Sequence, residues 1–467
     1  MTVTDESNGS TRFHVIALLA LTALALATRS YGFGQWAFTG DEFYTIDDAL
    51  EGNYRWPLKA GYYALVAVMF KWFGVSEWSA RLPAVVFGVV SIPLFYLMSR
   101  RFLGRNAAAI GSVLILFCGW HLDYSQYSRF YSAVFLFGIL SYFLYYRALE
   151  TGKISTLIYS LLAMGLGVVF HPTSIIAYGC CMTFSLLVLL FFKDRFSTRS
   201  VRLAKIHLLI SVLGALAVLP RFVRLFVGWK TTDDSWGYGP FNLVLQTGKY
   251  IGIPVAVAAV FGLLLLLRRD RTKGIFVGVS CGLPLLLLVT TSAFVSARPD
   301  YIFYAVPMYF AAAAYFCEAV RDQLGEYPLA SLGIVAIVVA GLLPEFASYY
   351  TGRMTLDLRD AIEYVTSRQQ PGDKIVSLMG DGAYYWPEER PRQKLPGNAY
   401  VKQADWEELL KPDVEAGRRI WLLVPVKRKK IAPKLQGWLG QHAHLVWQKQ
   451  SKRYDYTYDA IQIFVKP

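Results

Sequence analysis

Long apolar runs dominate the chain, and they recur from residue 13 to about residue 345. Runs of about 17–25 apolar residues have the length that a helix needs to cross the hydrocarbon core of a bilayer. The pattern predicts about eleven transmembrane helices, at 13–28, 81–99, 106–120, 131–148, 155–170, 173–192, 206–226, 251–267, 274–294, 301–318 and 329–345. The first run also has features of a signal peptide, but we expect a retained span because so many others follow it.

Basic residues between the runs predict the orientation. The loops 99–105, 192–205 and 268–274 are rich in Lys and Arg, and such loops usually remain in the cytoplasm. The N-terminus is then cytoplasmic, and the first long loop, 29–80, lies on the outer face of the plasma membrane. Within it, segment 59–74 is short and carries two lysines, which predicts a helix lying along the membrane interface.

Composition supports a polytopic membrane protein and argues against several other classes. Hydrophobic residues make up 55% of the chain, and the net charge is +14. The basic residues form short clusters between apolar runs rather than a stripe with interleaved aromatics, so we expect no nucleic-acid partner. The sequence has no GxxxxGK[ST] phosphate loop, which argues against ATP-driven transport. Its five cysteines lack the spacing of metal ligands.

Residues 346–467 differ in kind, because they contain no apolar run long enough to span a membrane. Helical periodicity at 358–369 is followed by a Pro-Gly-Asp turn and a strand-like run at 374–380. Further strands are predicted at 418–426 and 460–467. We therefore expect a transmembrane domain over 1–345 and a small extracytoplasmic α/β domain over 346–467.

Charged and polar residues cluster in the predicted outer loops. A carboxylate can act as a general base toward a hydroxyl, and arginine can hold a phosphate through two parallel hydrogen bonds. The candidate residues are Asp41, Glu42, Asp123, Arg129, Tyr131, His171 and Arg298. Six of them have a structural alternative. The acidic pair could cap a helix, Asp123 could end the third span, Arg129 and Arg298 could reach lipid headgroups, and His171 could stabilise a hairpin.

Four motifs in order resemble those of the GT-C type glycosyltransferases, which use lipid-linked sugars. That family includes the protein O-mannosyltransferases and the bacterial lipid A aminoarabinose transferase. The four motifs are FTGDEFYT (38–45), RWPL (55–58), FGVSEWSARLPAVVFG (73–88) and YSQYSRFYS (124–132). FHPTS (170–174) and RPDYIFYAVP (298–307) resemble later segments of the family more loosely.

The resemblance implies a polyprenyl-phosphate sugar donor and an inverting transfer to an acceptor hydroxyl at the outer face. It assigns Asp41 the role of general base, with Glu42 completing the pair. Arg129 and Tyr131 correspond to the second-loop motif, which implies a place in the donor pocket. Some family members carry a second acid near the position of Tyr131, and Asp123 is the alternative candidate for that role.

The sequence leaves the acceptor, the cofactor and two alternative functions open. The acceptor can be a protein, a lipid or a glycan, and no cofactor is certain, although Asp41 and Glu42 could share a divalent cation. The alternative function is a transporter or flippase for a lipid-linked or anionic solute, which predicts broken helices and ionisable residues inside spans. A non-enzymatic anchoring protein would leave the acidic pair and the arginines unexplained.

Overall fold

The computed structural model describes residues 3–38, 41–53, 59–231, 237–295, 297–324, 328–353, 358–377, 385, 393–394, 406–426, 433–450 and 460–467. The RWPL motif at 55–58 therefore lies outside the described residues, as does the end of the predicted strand 374–380. The chain forms two compact units. The first comprises Met1–Tyr31, Gly52–Gly74 and Ser79–Phe346, and the second comprises Gly32–Glu51, Val75–Trp78 and Ala347–Pro467.

Helices account for most of the chain before residue 354, as its apolar runs predict. In chain order they are α1 (Val3–Ser30), α2 (Glu42–Leu50), α3 (Ala60–Phe73), α4 (Glu77–Leu103), α5 (Arg105–Phe117), α6 (Gly119–Ser125), α7 (Tyr131–Thr151), α8 (Ile154–Phe170), α9 (Ile175–Phe191), α10 (Thr198–Thr231), α11 (Pro240–Ile251), α12 (Ile253–Arg269), α13 (Arg271–Ser292), α14 (Val306–Gln323), α15 (Pro328–Ala340) and α16 (Leu343–Arg353). Short 3-10 helices lie at Pro172–Ser174, Lys193–Arg195 and Pro299–Ala305.

The chain is a multi-pass membrane protein with fewer long apolar helices than the predicted spans. Among the described residues, eight helices are long and apolar enough to cross a membrane, or up to ten if each of two bent pairs counts as one span. The bent pairs are α5 with α6, at 66°, and α11 with α12, at 100°. The predicted span 155–170 corresponds to α8, which is shorter than the eight long apolar helices. The count of eleven and the orientation therefore stay predictions.

In the first unit, α7 and α14 form the centre of the helical packing. Helix α14 packs against α12 and α5, while α7 packs against α8. A glycine allows α7 to pack closely against the 3-10 helix Pro299–Ala305, because a Cβ on Gly138 of α7 would lie 2.1 Å from the carbonyl oxygen of Tyr304. Helix α3 coincides with the predicted interfacial segment 59–74 and packs on α8, while Trp72 and Phe73 at its end are exposed.

The second unit contains a mixed five-stranded sheet, which agrees with the predicted α/β character of the C-terminal region. Its strands are β1 (Lys374–Ser377), β2 (Gln393–Lys394), β3 (Ile420–Val426), β4 (His444–Gln450) and β5 (Ala460–Lys466), and its helices are α17 (Leu358–Thr366), α18 (Trp406–Glu415) and α19 (Pro433–His442). The strand order is β2-β1-β3-β5-β4. Strands β1, β2 and β3 run parallel, and β5 pairs antiparallel with β3 and β4.

Strand β3 lies at the middle of the sheet and is buried on both faces. Ile420, Leu422 and Val424 point to a core formed with α18 and α19, where Leu410 and Trp438 are buried. Trp421 and Leu423, on the other face, are also buried. A continuous apolar run is the expected sequence of a strand covered on both sides, which explains why RRIWLLVPV predicts a strand there.

Candidate functional site

Two cations of the first unit lie beside one aromatic ring. The Nζ atom of Lys59 is 5.2 Å from the ring centroid of Phe130, and the Cζ atom of Arg129 is also 5.2 Å from it. Arg129 is only 4% exposed, and Phe130 is buried. Cations at such distances interact favourably with an aromatic ring. Lys59 precedes α3, and Arg129 and Phe130 precede α7, so the two helix starts bring these side chains together.

His171 completes this group, which we call the Phe130 cluster: Lys59, Arg129, Phe130 and His171. The imidazole stacks on Phe130, with ring centroids 4.1 Å apart and an interplanar angle of 14°. Its position follows from the chain, since α8 ends at Phe170 and His171 caps the 3-10 helix Pro172–Ser174. The structure therefore brings together two of the predicted site residues, Arg129 and His171.

The tautomer of His171 follows from its partners. The Nδ1 atom accepts a hydrogen bond from the backbone N–H of Thr173, at 3.4 Å, and lies 2.7 Å from the Thr173 hydroxyl. Burial lowers the pKa of His171 well below its usual value, and the charges of Lys59 and Arg129 lower it further. A neutral imidazole whose Nδ1 accepts carries its proton on Nε2. His171 can thus donate one hydrogen bond without adding a third positive charge.

Arg298 lies in a second group, beside Asp300. The Nη2 atom of Arg298 is 2.7 Å from Oδ2 of Asp300, whose carboxylate is almost fully buried. Burial alone would lower the pKa of Arg298, but Asp300 and the nearby Tyr124, Tyr131 and Tyr250 raise it well above its usual value. The guanidinium therefore stays charged and is held by its carboxylate partner. Sequence reasoning missed Asp300, although it is part of the RPDY segment.

Tyr131 lies between the two groups. Its ring stacks on that of Tyr124 at 4.0 Å, and it also packs against Phe130 at 4.4 Å and Phe303 at 6.4 Å. This chain of aromatic contacts connects the Phe130 cluster with the surroundings of Arg298. Tyr131 thus lies within the first unit, next to Arg129. Its substrate-binding role stays a prediction.

Asp123 is a buried residue of α6, one position before Tyr124. Helix α6 exists because the preceding helix breaks at Cys118, whose backbone is extended. A Cβ on Gly119 would lie 2.4 Å from Cγ of Glu345, so only glycine fits where the new helix begins. The break places Asp123 and Tyr124 on a short separate helix rather than at the end of a straight span. A substrate-binding role for Asp123 stays a prediction.

Asp41 and Glu42 belong to the second unit. Asp41 is the N-cap residue of α2, and its backbone carbonyl accepts a hydrogen bond from the Thr45 N–H, while its side chain makes no capping bond. The structural alternative in which the Asp41 side chain caps the helix is therefore not observed. Glu42 begins the helix and is fully buried. Negative charge is favourable at the first turn of a helix. Their catalytic roles stay predictions.

The described residues contain no group of three or more His, Cys, Asp or Glu side chains placed to hold a metal ion. The five cysteines are all buried free thiols. Lys59 is the residue that sequence reasoning interpreted differently, as a flank of the interfacial helix. Only its contact with Phe130 places it among the cations of the site, and no local pattern in the sequence encodes that contact.

Comparison with known proteins agrees with this architecture. Residues 60–223 match the family described as dolichyl-phosphate-mannose-protein mannosyltransferase. A putative mannosyltransferase, YkcB of Bacillus subtilis (strain 168), is 26% identical over 193 residues, which are 38% of this chain and 26% of that protein. The matched part is thus about a quarter of that relative's length.

Two solved structures resemble nearly the whole chain. ArnT from Cupriavidus metallidurans, bound to undecaprenyl phosphate, has a TM-score of 0.58 and 14% identity, covering 96% of this chain and 97% of that chain. AglB, the oligosaccharyltransferase of Archaeoglobus fulgidus, in complex with an inhibitory peptide and a dolichol-phosphate, has a TM-score of 0.59 and 12% identity, covering 97% and 76%. These matches confirm the predicted GT-C fold.

Proposed function

We propose that this protein is a membrane glycosyltransferase that moves a sugar from a polyprenyl-phosphate donor to an acceptor hydroxyl. The single observation that carries the proposal is the Phe130 cluster, in which Lys59 and Arg129 converge on one buried ring beside a neutral histidine. Two cations and an N–H donor suit an anion with several oxygens, and a lipid-linked phosphate is such an anion. The resemblance to ArnT, solved with undecaprenyl phosphate, supports this choice of donor.

In the proposed reaction, the bond between the anomeric carbon and the phosphate oxygen breaks as the acceptor oxygen attacks from the opposite face. The lipid phosphate leaves with the electron pair of that bond. Lys59 and Arg129 stabilise its charge, and His171 donates through Nε2. Stabilising charge on the leaving group lowers the barrier to bond cleavage. Arg298, paired with Asp300, positions the tyrosines next to the phosphate-binding group.

Asp41 is the proposed general base. An ionised aspartate accepts the acceptor's hydroxyl proton as the new glycosidic bond forms, and Glu42 supports that segment from the first turn of α2. The attack from the opposite face makes the transfer inverting. We place the reaction at the outer face of the plasma membrane, following the predicted orientation of the loops. The sugar can be a hexose or a pentose, and the acceptor a protein, a lipid or a glycan.

The test is donor turnover by the purified full chain in nanodiscs. A panel of undecaprenyl-phosphate-linked hexoses and pentoses is supplied with a membrane extract as acceptor, and released undecaprenyl phosphate is quantified by mass spectrometry. We expect Asp41→Asn to reduce release at least a hundredfold, because general-base catalysis is worth about 10²–10⁴-fold. Asp47→Asn is the matched control, since Asp47 is an exposed residue of the same helix.

Each outcome bears on a different part of the proposal. Turnover by wild type and by Asp47→Asn, with loss in Asp41→Asn, supports both the activity and the assigned base. Full turnover by Asp41→Asn would reject Asp41 as the base. No release from any donor of the panel by wild-type protein would contradict the transferase proposal.

A transporter or flippase is the second candidate, because two helix pairs are bent at short breaks. Broken helices are the feature that the transporter hypothesis predicts. The same nanodisc preparation separates the two functions, since a flippase moves the intact lipid-linked sugar and leaves its phosphate–sugar bond unbroken. Movement of intact donor across liposome membranes without phosphate release would favour the transporter.

A further inference from the structure

One acidic residue of the recognised motifs has no part in the proposed chemistry. Glu77 lies in the GVSEWSARLP segment, begins α4, and belongs to the second unit. Its Oε1 atom accepts a hydrogen bond of 2.7 Å from the Tyr385 hydroxyl, and Nη1 of Arg359 lies 3.5 Å from the same oxygen. Glu77 is therefore engaged by two residues that lie about three hundred positions later in the chain.

The same two residues also hold the backbone that leads to Asp41. The Tyr385 hydroxyl accepts a hydrogen bond of 2.7 Å from the Phe38 N–H, and Nη2 of Arg359 donates one of 2.6 Å to the Gln35 carbonyl. Phe38 is almost fully buried. The Tyr385 hydroxyl thus accepts from Phe38 and donates to the Glu77 carboxylate, whereas the Arg359 guanidinium donates to both the Gln35 carbonyl and Glu77.

Ring packing extends this contact past Asp41. Tyr385 packs against Phe38 with centroids 6.2 Å apart, and edge-to-face against Phe43 with centroids 6.3 Å apart and an angle of 87°. Phe38 and Phe43 also contact each other at 6.0 Å. Asp41 and Glu42 lie between these two phenylalanines in sequence, so the tyrosine fixes the segment on both sides of the acidic pair.

We propose that Tyr385, Glu77 and Arg359 are positioning residues for the proposed transfer, through which the C-terminal region holds the Asp41 segment in its reactive geometry. They touch no reacting atom. The Arg359 side chain is 41% exposed, and an ion pair with an exposed partner contributes little by itself. The decisive contact is therefore the partly buried hydrogen bond from the Tyr385 hydroxyl to Glu77, at 2.7 Å. A misplacement of about 1 Å of a catalytic group can cost about a hundredfold in rate.

This inference rests on the proposed function only in its kinetic test, which requires transferase activity. The first variant is Tyr385→Phe, which keeps the ring and removes the hydroxyl. We expect kcat for undecaprenyl phosphate release to fall about tenfold, while the KM for the donor changes less than about twofold, since the phosphate-binding residues belong to the other unit. Tyr364→Phe is the matched control, because Tyr364 lies in the same unit and its hydroxyl donates to the Val446 carbonyl.

A second pair of variants distinguishes hydrogen bonding from charge. Glu77→Gln retains an oxygen that can accept from Tyr385, so we expect near-normal kcat, whereas Glu77→Leu should match Tyr385→Phe. A rate loss in Glu77→Gln as large as in Glu77→Leu would overturn the assigned role of the Tyr385 bond.

Hydrogen exchange of the full chain without substrate tests the positioning independently of catalysis. We expect the amides of residues 35–50 to exchange at least about tenfold faster in Tyr385→Phe than in wild type, with no change in Tyr364→Phe. Unchanged exchange in that segment, or wild-type kcat in Tyr385→Phe, would overturn the proposal. If wild-type protein releases no phosphate while exchange responds as expected, the transferase proposal fails and the positioning role stands.

Discussion

At the scale of single residues, the Phe130 cluster depends on a lysine in an unfavourable backbone conformation. Lys59 has a φ of 54°, and within the described part of the chain it is the one residue other than glycine with positive φ. Such a conformation costs a lysine about 1–3 kcal/mol and persists only where surrounding structure enforces it. The strain brings the Lys59 side chain toward Phe130 at the start of α3. The proposed binding of an anion by Lys59 and Arg129 would give this strain a function.

A single carboxylate in the C-terminal region predicts a pH dependence of stability. Asp373 lies in the predicted Pro-Gly-Asp turn, and its Oδ2 atom accepts hydrogen bonds from the Gln370 N–H, the Trp421 indole and the Arg419 guanidinium. Burial alone would raise the pKa of Asp373, but these hydrogen bonds and the Arg419 charge lower it overall. The carboxylate therefore stabilises the fold in its ionised form.

We expect Asp373→Asn to destabilise the C-terminal region by about 1–3 kcal/mol near neutral pH, the typical cost of losing hydrogen bonds to a charged group. The folded pKa is depressed, so this advantage of wild type is complete above about pH 3.9, the unfolded pKa, and disappears as the pH falls through the folded pKa. Calorimetry of the full chain in detergent from pH 2.5 to 7 measures the difference in melting temperature between wild type and Asp373→Asn. A difference in melting temperature that grows on acidification would contradict the assignment.

At the scale of elements, the break between α5 and α6 is stabilised by one buried arginine. Carbonyl groups at the end of α5 have no partner within the helix. Arg29, at the end of α1, donates from Nη1 to the Leu116 carbonyl at 2.6 Å and from Nη2 to the Ile115 carbonyl at 3.0 Å. Its Nη2 atom is also 3.0 Å from Nδ1 of His121, whose Nε2 is 2.9 Å from the Ser91 hydroxyl.

Replacing Arg29 should therefore destabilise the first unit. Arg29→Met removes the donor to the Leu116 carbonyl, at a cost of about 1–3 kcal/mol for an unsatisfied buried group. The Ile115 carbonyl keeps its hydrogen bond from the Cys118 N–H. The five buried cysteines all lie in the first unit, so labelling by a thiol-reactive dye during heating reports its unfolding. We expect Arg29→Met to lower the melting temperature. Arg12→Met, which changes an exposed arginine of the same helix, should leave the melting temperature unchanged. Equal melting temperatures would mean that Arg29 does not support the break.

The sequence predicted elements well where their signal is local. The apolar runs placed most of the long helices, and the runs at 374–380, 418–426 and 460–467 predicted β1, β3 and β5. Strand β4 was missed because its burial is slight, which leaves no clear alternation. The breaks before Gly119 and Ile253 were missed because they depend on packing, such as that of Gly119 on Glu345. Lys59 was not predicted as a site residue because its contact with Phe130 joins residues that are distant in sequence.

At the scale of the whole molecule, the chain forms two compact units. The first unit contains the Phe130 cluster and Arg298, and the second contains Asp41 and Glu42 together with the C-terminal sheet. The predicted domain boundary near residue 345 stays a prediction. In the structure, the second unit contains Ala347–Pro467 and also two segments of the first loop, Gly32–Glu51 and Val75–Trp78. Hydrogen bonds to Tyr385 and Arg359 give the physical reason for this grouping.

The most direct test of the central claim is the affinity of the full chain in nanodiscs for undecaprenyl phosphate, measured against undecaprenol, which lacks the phosphate. We predict that wild type prefers the phosphate lipid and that Lys59→Met and Arg129→Met each weaken its binding about tenfold or more, since a hydrogen bond to a charged group contributes about 1.5–3 kcal/mol. Lys71→Met, an exposed lysine of α3, should bind as wild type does. Equal affinity of wild type for the two lipids, or full affinity in both cluster variants, would contradict the account.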